Sequence, residues 1–187
     1  MIKEHNVPQS DLNSQGNNLQ NQNSQAVTVE VEKIAERQRQ ITAKIQIPHP
    51  AEKVWKVLTD YQALAEFIPN LASSRKIEHP TGGIRLEQIG SQRLLRLNFS
   101  ARVVLDLEES FPNLISFRMV EGDFKDFCGS WHLNNCVLDN KTSTLLCYSV
   151  KIWPKLTMPI RIIEPRLSQD MQSNLLAVRQ RVEQLAS

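Results

Sequence analysis

The residues best equipped for metal chemistry are Cys128, His132 and Cys136, spaced four apart within one alternating segment. Two thiolates and an imidazole would suit zinc if they converged on one point. On a β-strand they diverge: at ~3.3 Å per residue, neighbouring members stand ~13 Å apart and the two thiols ~26 Å. That span excludes a shared zinc ion and a Cys128–Cys136 disulfide alike. With Cys147 the thiols form an odd set that lacks the spacing of a secreted scaffold, so free cysteines in an intracellular protein are expected, with no metal and no cofactor.

Acid–base chemistry needs titratable groups turned toward a shielded space. Asp106 and Glu108 fall on the polar side of an alternating run, and Glu121, Asp123 and Asp126 gather at a turn. His49 stands between two prolines and His79 precedes Pro80, neither with a partner at fixed spacing. Only Tyr148 has both a titratable group and an inward position by alternation. The sequence has no Gly-rich phosphate loop, Gly-x-Ser-x-Gly elbow or His-Glu-x-x-His motif. No catalytic residue is assigned, and binding is favoured over catalysis.

The elements that position these residues follow from periodicity. Ile41, Ala43, Ile45 and Ile47 alternate with Thr42, Lys44 and Gln46, as in a half-buried strand. After Pro50, Ala51, Val54, Val57 and Leu58 share a helical face, and Asp60 opens a second short helix that Pro69 stops. Leu95, Leu97, Phe99, Ala101, Val103, Leu105 and Leu107 then fill seven successive odd positions without a polar residue. The pattern recurs in Ile115, Phe117 and Met119, in Phe127, Gly129, Trp131 and Leu133, and in Leu146, Tyr148, Val150 and Ile152, with turn residues between. This is an antiparallel meander with one dry face. Leu167, Met171, Leu175, Val178, Val182 and Leu185, at steps of three and four, form a long amphipathic helix able to cover it.

Length and composition agree with one domain: 187 residues, 41% hydrophobic, and 22 Lys+Arg against 20 Asp+Glu for a net charge of +2. So balanced a charge gives no support to nucleic acid as a partner. No stretch approaches the ~18 apolar residues of a membrane span, and a cytoplasmic location is expected. Residues 1–26, rich in Asn, Gln and Ser, read as a disordered tail. Residues 27–37 read as a lead-in segment or an extra edge strand, and 38–187 as the folded domain.

Ile45-Gln46-Ile47-Pro48, Pro50-Ala51-Glu52-Lys53-Val54-Trp55-Lys56-Val57-Leu58-Thr59-Asp60-Tyr61 and Phe67-Ile68-Pro69, taken with this element order, resemble the START-like (SRPBCC) polyketide cyclase/dehydrase family over roughly residues 38–186. Its nearest branch includes coenzyme Q-binding proteins and the ribosome-association toxin. Glu121 to Trp131 also resembles a Gly-x-Phe-x-x-Phe-x-Gly-x-Trp pattern of family members from photosynthetic organisms. The resemblance implies an α+β helix-grip fold, a curved sheet around the C-terminal helix with an apolar cavity between them.

On that basis the candidate ligand contacts are Leu97, Phe99, Val103, Phe117, Met119, Trp131, Tyr148, Met171 and Leu175. Trp153, Lys155, Leu156, Met158 and Arg161, at the junction before the last helix, are candidates for membrane-surface contact. The function implied is noncatalytic binding or transport of a hydrophobic small molecule such as a prenylquinone, an isoprenoid or a lipid. Two alternatives stay open. One is a cyclase or dehydratase acting on a polyketide-like substrate; the other is a ribosome- or protein-interaction module using Arg96 and Arg102 on the polar sheet face.

Overall fold

The structure is a computed structural model that describes residues 26–94, 97–138 and 140–186, side chains included except for 92–94 and 97–99. The tail, Leu95, Arg96 and the side chains of Leu97 and Phe99 therefore lie outside the described residues.

Eight strands form one antiparallel sheet: β1 (Thr28–Ala35), β2 (Gln38–Ile47), β3 (Leu71–Ile77), β4 (Ile84–Leu94), β5 (Leu97–Ser110), β6 (Leu114–Gly122), β7 (Phe124–Leu138) and β8 (Lys141–Pro154). Helices α1 (Ala51–Thr59) and α2 (Leu64–Phe67) follow β2, and α3 (Ile160–Ala186) closes the chain. The spatial order is β1-β2-β8-β7-β6-β5-β4-β3. Strands β3 to β8 thus run as a meander, and β2 returns beside β8 to pair Ile41 with Val150 and Ile45 with Leu146. Thr28–Ala35 is the outermost strand, paired with β2 from Thr28↔Lys44 to Ala35↔Gln38.

Two features depart from the periodicity reading. The segment at 71–77 is a full strand rather than an approach to the sheet, and its hairpin partner β4 has no clear alternation, because Gln88 and Gly90 interrupt the apolar face begun by Ile84 and Leu86. On the far side of the sheet, Val104 is buried despite its polar neighbours. There Glu87, also buried, accepts hydrogen bonds from Arg75 and Arg102, which hold its carboxyl below the usual range. Arg102 bonds Glu121 as well. The arginine assigned to an interaction surface is thus committed to its own sheet.

The core sits between sheet and helices. Ile41, Ala43, Ile45, Ile47, Leu146, Val150 and Ile152 meet Ala51, Val54, Val57 and Leu58 of α1 and Met171, Leu175, Val178 and Val182 of α3. Each large aliphatic side chain so buried contributes about 2 kcal/mol. The stripe on α3 ends at Val182, since Leu185, one turn on, is 64% exposed. Burial is tightest under β2, β8 and the C-terminal half of α3. Toward β3–β6 and the N-terminal half of α3 the packing opens.

Candidate ligand-binding site

That opening is a cavity of about 280 Å³ between the concave face and α3. Its sheet wall is aromatic. Trp131 and Tyr148, paired across β7 and β8, stack with ring centroids 3.7 Å apart and planes 4° from parallel. Phe117 lies 5.8 Å from Phe127 and 6.3 Å from Tyr148, and Phe124 lies 5.4 Å from Phe127. Val103, Leu105, Leu107, Ala101 and Ile115 continue the wall along β5 and β6. Glycine at position 129 makes the aromatic array possible: a Cβ there would meet Phe117 Cζ at 2.6 Å, so the ring occupies the space that any other residue would fill.

The opposite wall comes from α3 and the α2–β3 connection. Helix α3 presents two neighbouring stripes: Met171, Leu175 and Val178 toward the core, and Arg166, Asp170 and Asn174, four apart, toward the cavity, which Ile163 and Leu167 also line. Ile68, Pro69, Asn70 and Leu71 complete the rim. Asn70 holds a left-handed conformation (φ 62°) that Asn tolerates better than most residues, and its Nδ2 donates to Asp170 Oδ1 at 3.1 Å. The charged groups therefore come from the helix side, opposite the aromatic rings, while Gln88 and Ser91 add polar atoms on β4.

Two tyrosines face this space in different states. Tyr61 donates to Glu109, and burial together with that partner raises its pKa above the ordinary value. Tyr148 is raised as well, chiefly by burial and further by the charge of Asp170. Its hydroxyl stays protonated across the physiological range, a hydrogen-bond donor and a poor base.

Of the nine residues assigned to the ligand, Val103, Phe117, Trp131 and Tyr148 line the cavity. Met171 and Leu175 are fully buried in the core instead, on the stripe that packs against the sheet. Met119 is also displaced from the cavity wall: its sulfur fills the space beside Gly122. The side chains of Leu97 and Phe99 are outside the description. Sequence reasoning missed Tyr61, Asn70, Gln88, Arg166, Asp170 and Asn174, all of them lining. The four-residue spacing of the last three was available as a signal, but a polar stripe on a helix ordinarily marks the solvent side.

The β8–α3 junction is partly exposed. Trp153 (38%) and Leu156 (75%) face outward, with Ile162 (52%) one turn into α3. Lys125 lies over the Trp153 ring, 5.1 Å from its centroid, and Lys155 and Arg161 of the same junction are exposed, with Lys155 Nζ donating to the Gly122 carbonyl at 3.0 Å. Met158 is buried, so it anchors the junction rather than contributing to the surface. Arg37, from the β1–β2 turn, fastens the backbone by donating to the carbonyls of Lys155 (2.8 Å) and Met158 (2.9 Å). No described helix is long and apolar enough to cross a membrane, and among the described residues no His/Cys/Asp/Glu group could hold a metal ion.

The family model described as polyketide cyclase / dehydrase and lipid transport matches residues 47–176, well over half of the chain. An aromatase/cyclase from a Streptomyces species superimposes with a TM-score of 0.64 at 17% identity, covering 80% of this chain and 96% of its own. A STAR-related lipid transfer protein from Xanthomonas axonopodis gives 0.59 at 17% identity, covering 83% and 98%. In sequence, the ribosome association toxin RatA of Escherichia coli is 27% identical over 92 residues, 49% of this chain and 56% of the toxin. The chain thus spans about half the length of the curated relatives it matches. Element order, cavity and family match agree: this chain has the START-like helix-grip fold and belongs to the polyketide cyclase / dehydrase and lipid transport family.

Proposed function

We propose that this protein binds and carries a hydrophobic small molecule without transforming it, a prenylated quinone, an isoprenoid or a lipid. The observation that carries the reading is the division of the cavity into an aromatic wall and a polar helix stripe, which suits an amphipathic guest with a ring or chain against Phe117, Phe127 and Trp131. Tyr148, protonated and poorly basic, suits holding better than proton abstraction. The test is organic extraction of protein purified from its native cell, followed by mass spectrometry, with titration of the emptied protein by a short-chain alkylated benzoquinone. A quinone in the cavity quenches Trp131, and Trp131→Phe removes that component of the signal. Preparations that yield no organic molecule and show no quenching with any amphipathic probe would sink the proposal.

Loading from a membrane surface belongs to the same reading. Trp153, Leu156 and Ile162 are exposed apolar side chains of this junction, Lys125 lies over the Trp153 ring, Lys155 and Arg161 are exposed in the same segment, and cations among apolar side chains complement an anionic bilayer. Vesicles containing phosphatidylglycerol are expected to sediment the protein, and Leu156→Asp to reduce the bound fraction at least fivefold. Equal sedimentation with neutral vesicles, or an unaffected variant, would remove the docking role and leave the cavity reading in place.

A further inference from the structure

The cavity's polar groups differ in whether they are satisfied. Asn70 and Asp170 are bonded to each other, Gln88 donates to Ser74, and Tyr61 donates to Glu109. Two groups stand apart. The Oδ1 atom of Asn174 is buried and has no hydrogen-bond partner. The hydroxyl of Tyr148 makes no hydrogen bond to another described residue; its half-buried ring, stacked on Trp131, lines the cavity. A buried polar atom such as the Asn174 oxygen is nearly always paired, because an unpaired one forfeits the hydrogen bonds it had in water. Tyr148 comes from the sheet and Asn174 from the helix, and both line the same space. One unpaired group is a donor and the other an acceptor. The flat stack of Trp131 and Tyr148 forms part of the aromatic sheet wall.

We infer that Tyr148 and Asn174 are the specificity pair of the cavity, selecting a planar ring that carries a carbonyl oxygen for the Tyr148 hydroxyl and a hydroxyl group for the Asn174 amide oxygen. The inference rests on the carriage reading and narrows it, from any oily guest to an oxygenated ring. The tyrosine hydroxyl stays protonated and donates to the carbonyl. The amide oxygen, buried as it stands, is brought to the ring hydroxyl by rotation of the Asn174 side chain. Arg166 and Asp170, on the same helix face, keep the surroundings polar enough for such a group.

The test uses three probes of one skeleton: a hydroxynaphthoquinone, the parent naphthoquinone and naphthalene, each displacing the fluorescent probe phenylnaphthylamine from the full-length protein. The hydroxynaphthoquinone is expected to bind about tenfold more tightly than naphthalene, with the parent quinone between them. Tyr148→Phe and Asn174→Leu are each expected to reduce that preference about three- to tenfold while leaving naphthalene affinity within about twofold. Thermal melting of the ligand-free Tyr148→Phe protein adds a readout that a structural role would move differently. Loss of an unpaired hydroxyl leaves the melting temperature unchanged or raised; a marked fall shows a partner within the protein and overturns the assignment. A preference unaltered in both variants overturns the pair and leaves the carriage reading standing. Failure of all three probes, naphthalene included, overturns both.

Discussion

Gly129→Ala is expected to cost about 3 kcal/mol of stability and to destroy the cavity's aromatic wall, although it adds a single methyl group. The methyl carbon would lie 2.1 Å from the carbonyl oxygen of Ser149 and 2.6 Å from Phe117 Cζ. Neither neighbour can retreat cheaply. Ser149 is held in the middle of β8 between Ser130 of β7 and Thr42 of β2, so moving its carbonyl breaks pairing on two sides. Phe117 is the residue paired with Gly129 across β6 and β7, and its ring is flanked by Phe127 and Tyr148, so its way out is into the cavity at the expense of those contacts. Relief requires β7 to bow away from β8 or Phe117 to swing into the cavity. Urea denaturation should show a lower midpoint with little change in slope, and near-ultraviolet circular dichroism should lose aromatic signal. Combining the change with Phe117→Ala separates the two contacts: the clash with the ring disappears and the clash with the carbonyl persists, so the double variant costs less than the sum of the singles. A Gly129→Ala protein with the parent's midpoint would show that the ring does not rest on the glycine.

The architecture was legible in the sequence wherever burial is one-sided. Val103, Leu105 and Leu107 announce β5 because a two-residue period has only one explanation, and Met171, Leu175, Val178 and Val182 announce α3 by the same logic at 3.6. The hairpin β3–β4 was not legible, and the cause is the cavity itself. Gln88, Gly90 and Ser91 line an open space rather than a packed layer, so nothing selects large apolar side chains there and the alternation fades. The cavity wall suffered the same ambiguity from the other direction. Met171 and Phe117 both fall on the dry side of their elements, yet Met171 lies on α3's packed underside and Phe117 faces the void. Periodicity reports which side of an element is dry; whether that side meets atoms or empty space depends on the curvature of the sheet and the separation of distant elements. Arg166, Asp170 and Asn174 show the converse, since their polarity suggests solvent while the fold turns them toward the cavity. Met158 shows the limit for loops, where its burial comes from Arg37 fastening the junction to a turn more than a hundred residues earlier in the chain.

Ala101→Phe, one strand away from the aromatic cluster, is expected to do the opposite of Gly129→Ala: to abolish binding while leaving the fold intact or firmer. Ala101 lines the cavity and pairs with Gly90 across β5 and β4, so on this part of the wall two small side chains leave the concave face low. A cavity of roughly 150 Å³ suffices for a benzene ring. Adding one ring therefore consumes about half of the 280 Å³ available here and leaves no room for a second, larger ring system. Guest affinity should fall at least thirtyfold by fluorescence quenching of Trp131. The melting temperature should hold or rise, because the new ring gains contacts across space that was open and displaces no packed neighbour. The contrast between the two variants is the informative part. An added methyl is ruinous where glycine lets a ring and a carbonyl converge, and an added phenyl ring is harmless where the sheet borders a void. Undiminished affinity in Ala101→Phe would mean that the guest sits elsewhere on the protein, and a melting temperature several degrees lower would mean that the space beside Ala101 is already filled.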